Sequence, residues 1–120
     1  MIAHVSIPIN DYDKAKDFYV KALEPLGYVL HMEFPPESAG FMEGGHTSFW
    51  IVKKPSDQGS HVALLAKNKE SVDKFYEMAL QSGGKDNGPP GYRHDYGSGY
   101  YAAFVFDPDG NNIEAVFFEE

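Results

Sequence analysis

The sequence predicts an α+β fold of two tandem βαβββ modules that form a curved, mostly antiparallel sheet cup with helices on the outside. Three observations carry this reading. His4-Val5, Phe18-Tyr19, Ala22-Leu23 and Gly27 recur 57 residues later as His61-Val62, Phe75-Tyr76, Ala79-Leu80 and Gly84. In each copy an alternating apolar segment precedes a helical stripe, and further strand-like runs follow it. Asp107-Pro108-Asp109-Gly110 then marks a hairpin turn between the last two runs. Duplicated units of this length pack around a pseudo-twofold axis, because neither half alone buries its apolar face.

Each element has a local cause. Ile2 to Ile9 alternates, with Val5, Ile7 and Ile9 on one face and His4 and Ser6 on the other. Asn10 or Asp11 can cap a helix reaching about Leu26, its buried stripe being Ala15, Phe18, Tyr19, Ala22 and Leu23, and Gly27 ends it. Tyr28 to Phe34 reads as a second strand, the stretch around Phe41 as a weak third, and Ser48 to Lys53 as a fourth. Lys54 to Ser60, with Pro55, Asp57 and Gly59, is the linker. The second copy opens with a strand from His61 to Ala66, and Asn68 caps a helix running to about Ser82. Gly83 to Gly99 predicts a short strand and a mobile loop, while Tyr100 to Phe106 and Asn112 to Phe118 are strands. The modules thus occupy about 1–54 and 60–120 of a single 1–120 domain.

Composition narrows the partners. A chain of 120 residues, 42% hydrophobic, folds as one domain. Its net charge is −8 and Arg93 is its only arginine, which argues against nucleic acid, whose phosphates require basic surface. No run is apolar enough to span a bilayer and the start lacks a signal-peptide layout, so a cytoplasmic protein without a membrane partner is expected. With no cysteine, any metal must be held by nitrogen and oxygen.

The repeat sets His4 and His61 at equivalent points of the two copies, and Glu114 lies on the last strand opposite its packed face. Two imidazoles and a carboxylate form an open ligand set for Fe(II), Mn(II), Zn(II) or Ni(II), leaving positions for water or two substrate oxygens. A lone strand histidine is more often a hydrogen-bonded residue than a ligand, and a lone strand glutamate is usually solvated. The paired placement shifts that balance. His31 and His46 lack repeat partners and read as surface residues. Trp50 is either core or a wall of the cup, and the helix aromatics Phe18, Tyr19, Phe75 and Tyr76 are core. The Gly83 to Gly99 region with Arg93, His94, Tyr100 and Tyr101 is either a solvent-facing loop or a lid, in which His94 or Tyr100 acts as acid, base or donor. Ser6, Trp50, Arg93 and Tyr101 are candidate substrate contacts.

These residues make the whole chain resemble the vicinal oxygen chelate superfamily, which includes glyoxalase I, fosfomycin-resistance proteins, extradiol dioxygenases, methylmalonyl-CoA epimerase and bleomycin-resistance proteins. The resemblance rests on the two strand-helix-three-strand modules, His4, His61, and Asp107-Pro108-Asp109-Gly110 followed by Ile113-Glu114. It implies that His4, His61 and Glu114 are ligands of a divalent metal ion, that the substrate is a small molecule, and that the chain forms a homodimer. Many metal-dependent relatives add a fourth ligand from the first module's closing strand. Here matching Phe49-Trp50-Ile51-Val52 with Ile113-Glu114-Ala115-Val116 sets Trp50 there, which puts glyoxalase I chemistry in doubt. The expected activities are lyase or isomerase chemistry or thiol addition, with oxygen chemistry behind them. The alternatives are a bleomycin-resistance-like module that sequesters an aromatic or cationic molecule without turnover, and a metal that only stabilises the fold.

Overall fold

In the computed structural model, which describes residues 1–120, each helix starts where a short side chain satisfies a free backbone donor. Asp11 Oδ1 accepts from Lys14 N at 3.2 Å and Asn68 Oδ1 from Ser71 N at 2.8 Å, opening α1 (Tyr12–Ala22) and α2 (Lys69–Gln81). α1 buries Ala15, Phe18 and Ala22, and α2 buries their repeat mates Val72, Phe75 and Ala79. α1 stops at Ala22, short of the expected Leu26. Pro25 has no N–H to extend the helix, so the chain tightens into a single 3-10 turn over Glu24–Leu26, closed by Gly27 at φ 91°.

The chain forms nine strands, two of them where one short strand and a mobile loop are expected between Gly83 and Gly99: β1 (Val5–Ile9), β2 (Val29–Phe34), β3 (Ser38–Glu43), β4 (His46–Lys53), β5 (His61–Leu65), β6 (Lys85–Asp86), β7 (Gly91–Tyr92), β8 (Tyr100–Phe106) and β9 (Asn112–Phe118). They form two sheets, one per module, ordered β1-β4-β3-β2 and β5-β9-β8-β6, with β7 also on β8. Within each, the opening and closing strands run parallel (β1 with β4, β5 with β9) and the remaining pairs are antiparallel. The chain is therefore α+β, with the strands divided between two mixed sheets.

Register fixes which residues are equivalent. Ser6 lies beside Trp50 in the first sheet and Ala63 beside Glu114 in the second. Because Ser6 and Ala63 are repeat mates, Trp50 occupies the position that Glu114 holds in the other module. Alternation then sorts the faces. Ile7, Ile9, Phe49 and Ile51 of one sheet and Val105, Ile113 and Ala115 of the other are buried with both helices in one cluster. Each fully buried phenylalanine in it contributes about 1.5–3 kcal/mol. Ser6, Trp50, His61 and Glu114 point the opposite way and stay outside that cluster.

The modules are joined where β1 ends and the β8–β9 turn begins. Tyr19 donates to Asp107 Oδ2 at 2.5 Å, Asn10 N to Asp109 Oδ1 at 2.9 Å and Asn111 Nδ2 to the Pro8 carbonyl at 3.0 Å. No helix is long and apolar enough to cross a membrane.

Candidate metal and ligand site

Glu114 sits in mid-β9 on the helix-free face, yet it is only 2% exposed. A carboxylate buried to this degree needs partners, and two neighbouring strands supply them. At the start of β5, His61 Nε2 donates to Oε1 at 3.1 Å; at the start of β8, the Tyr100 hydroxyl donates to Oε2. Burial first, and then the bond to Glu114, pushes the Tyr100 phenol up to about 12, so it remains a donor near neutral pH. The His61 ring is half exposed and bridges the carboxylate to solvent.

Above His61 lies a cavity of about 330 Å³ lined by Arg93, Tyr96, Phe104 and Asn112. The Arg93 guanidinium donates to the Pro89 carbonyl at 2.6 Å and lies 5.4 Å from the Phe104 ring centre. Asn112 is beside His61 in the β5–β9 register, and its Oδ1 is buried without a hydrogen-bond partner. The sequence reading passed over this spare acceptor. Its signal was the two-residue spacing from Glu114, which puts both side chains on one face of a strand.

The other half of the predicted set lies on the first sheet. His4, exposed just ahead of β1, lines a cavity of about 430 Å³ together with Ser6, Glu37 and Trp50. The structure thus gathers His61, Glu114 and Tyr100 in one place and His4, Ser6 and Trp50 in another. Nowhere in the single chain do three histidine, aspartate or glutamate side chains stand within reach of one ion. In kind the donors suit a divalent cation, with imidazole nitrogen, carboxylate oxygen and the orphaned amide oxygen of Asn112. They come as two halves, one on each module.

The remaining candidates lie elsewhere. Tyr101 points to the helix side and donates to Asp73 Oδ1 of α2 at 2.6 Å. His94 stacks on Tyr92 at 13°, and the Tyr92 hydroxyl accepts from Lys69 Nζ and donates to Glu119, which draws His94 away from Glu114. The expected mobile loop is pinned by Arg93 N to Tyr100 O and by Phe104 N to Gly88 O, both 2.8 Å. His31 and His46 are exposed, their rings bonded to Thr47 Oγ1 and the Ala3 carbonyl. The largest hollow, about 770 Å³, opens between α1, the end of α2 and the β8–β9 turn and is lined by none of these groups, and Asp107 in its wall is fully engaged in holding that turn.

The family model described as the glyoxalase/bleomycin resistance protein/dioxygenase superfamily matches residues 1–115. The chain belongs to that superfamily. No curated protein matches it. Among solved structures, a glyoxalase/bleomycin resistance protein from Albidiferax ferrireducens is 29% identical, with TM-score 0.84 over 96% of this chain and 97% of that one. A glyoxalase-related enzyme from Fulvimarina pelagi is 18% identical (TM-score 0.75, covering 98% and 87%) and shares the fold. So does lactoylglutathione lyase from Agrobacterium tumefaciens, at 17% identity (TM-score 0.74, covering 98% and 92%). Within this member of the superfamily, the first module's closing strand presents Trp50 at the register position that Glu114 holds in the second.

Proposed function

We propose that this superfamily member is a metal-dependent enzyme in which His4, His61 and Glu114 hold a divalent ion and a small substrate with adjacent oxygens is turned over. The observation that carries the reading is a buried carboxylate meeting His61 at 3.1 Å next to an amide oxygen without a partner. When bound, such an ion supplies Lewis acidity toward a chelated oxygen. The chain's own residues do the rest. Tyr100 fixes one oxygen of Glu114, leaving the other turned to His61, and Arg93 at the cavity rim offers a cation to negative charge on a substrate. Lyase, isomerase or thiol-addition chemistry suits this set, with Tyr100 as the candidate proton-handling side chain and His94, stacked on Tyr92, outside it.

His4 completes the set from a second copy. Each module leaves its helix-free face open, and the repeat gives the first module's open face the same histidine position as the second's. A homodimer that sets the first sheet of one chain against the second sheet of the other supplies all three ligands twice. A second reading, sequestration of a small molecule without turnover, is favoured by the aromatic surface at Trp50 and Phe34.

Elemental mass spectrometry of untagged protein should find close to one ion per chain, lost in His61→Ala and Glu114→Ala. Wild type that stays metal-free after exposure to Mn, Fe, Co, Ni and Zn salts would sink the enzyme reading. Ion binding should also weaken in acid, since neutral imidazole and ionised carboxylate are the forms that coordinate.

A further inference from the structure

β7 is two residues long, and since one of them is Gly91, Tyr92 is the only side chain it has to anchor itself. Tyr92 lies beside Tyr101 in the β7–β8 register and shares its helix-side face, with ring centres 5.1 Å apart. The next residue, Arg93, therefore turns to the cup, where it lines the His61 cavity. Its guanidinium rests on its own loop: a Cβ on Gly88 would come within 3.1 Å of Nη2, and one on Gly91 within 3.2 Å of Nη1. Whatever moves this loop moves the cation with it. Arg93 enters none of the chain's ion pairs, so its charge is left for the cavity.

On the helix side of the sheet, Lys69 Nζ bonds to Glu119 Oε2 at 2.8 Å and to the Tyr92 hydroxyl at 2.9 Å, and that hydroxyl donates to the same carboxylate at 2.8 Å. The ammonium also lies 5.4 Å from the Tyr92 ring centre and 5.8 Å from that of Tyr101. Glu119 N donates to Gly99 O at 2.8 Å. Glu119 thus grips the segment between Tyr92 and Gly99 at both ends, by side chain at one and by main chain at the other. Lys69 joins this clasp from the first residue of α2, where a cation opposes the helix dipole, so its placement does not serve the helix. We infer that Lys69, outside the cup, is a positioning residue that sets Arg93 over the His61 cavity through Tyr92 and Glu119. An ion pair this exposed, 40% on each side, adds little to the stability of the whole fold, so its effect falls on the loop it holds. The inference rests on the proposed function only in counting Arg93 among the groups that face a ligand.

Arg93 is the only arginine, so in the isotope-labelled full chain, treated with EDTA, its Nε–H gives one NMR signal of its own kind. That signal reports the order of this single guanidinium, which a melting curve does not. Wild type should show a restrained Nε–H that exchanges slowly with solvent. Lys69→Met keeps the stem packed on the tyrosine rings and removes the ammonium; it should speed that exchange about five-fold and move the signal toward that of free arginine. Glu119→Gln, a change at an exposed carboxylate, should act in the same direction. Lys74→Met, which removes the cation of another pair on α2, should leave the signal where it was. In Lys69→Met the melting temperature should fall by no more than about 2 °C. A guanidinium already mobile in wild type, or one unmoved in both Lys69→Met and Glu119→Gln, would overturn the inference, as would an equal shift in Lys74→Met. So would loosening spread over the backbone amides of every element, which would make Lys69 an ordinary stabilising residue. No ion or substrate enters the experiment, so its outcome is separate from that of the metal reading.

Discussion

Asp107 shows how much rests on single side chains. It is 3% exposed and accepts from Tyr19, from Asn111 Nδ2 and from the N–H groups of Asp109 and Asn111, so one carboxylate builds the β8–β9 turn and ties it to α1. Burial raises its pKa above the ordinary value, although those hydrogen bonds pull the other way. A raised folded-state carboxylate gives its full stabilisation below the unfolded pKa and loses it as pH rises through the folded one. Ionised Asp107 is therefore a strained choice that its donors offset. Tyr19→Phe deletes one donor, so Asp107 should titrate higher still by NMR. The fold should lose about 1–3 kcal/mol near neutral pH, and less near pH 3, where the group is protonated. Denaturant midpoints at the two pH values check the difference, and an equal loss at both would contradict it. A change of similar reach at a neighbouring point is Phe18→Ala. The ring is fully buried against Tyr19 and would touch a Cβ on Gly84, so about 3–5 kcal/mol of stability should go.

Elements were legible in proportion to how local their causes are. β8 and β9 have the expected bounds because strong alternation is punctuated by Asp107-Pro108-Asp109-Gly110. α2 begins at its expected cap, Asn68, and replacing that residue by alanine should cost about 1 kcal/mol in thermal or urea unfolding. β1 starts at Val5 and not at Ile2, since a strand exists only where its partner β4 runs beside it, and that partner is more than half a module away. β6 and β7 are two-residue strands held by pairing to β8, a non-local cause that glycine and proline mask in the sequence. For the site, the His61–Glu114 meeting was readable from the repeat and strand parity. Parity also placed Tyr101 with Ala103 and Val105 on the packed face, a signal outweighed by the attraction of a tyrosine cluster. The Tyr92–Lys69–Glu119 network that holds His94 aside joins three distant segments and left no local trace.

At the scale of the molecule, the question is how two half-sites become one. If each complete site takes His4 from one chain and His61 with Glu114 from the other, two broken chains can mend each other. Mixing His4→Ala with Glu114→Ala, after unfolding and joint refolding, should restore about one ion per heterodimer, because one of its two sites then contains only wild-type ligands. Neither variant alone should hold metal. Sites formed within single chains would show no recovery by elemental mass spectrometry.

The parallel pairing of first and last strands also sets an order of events during synthesis. β1 leaves the ribosome well before β4 exists to pair with it, so Ile7 and Ile9 wait unburied while the rest of the first module is made. Its core stays open on the side the second module will cover, so the Tyr19 hydroxyl is bonded to water until Asp107, near the end of the chain, arrives to replace it. The β8–β9 turn is therefore among the last pieces made, and it acts as the latch that joins the two modules.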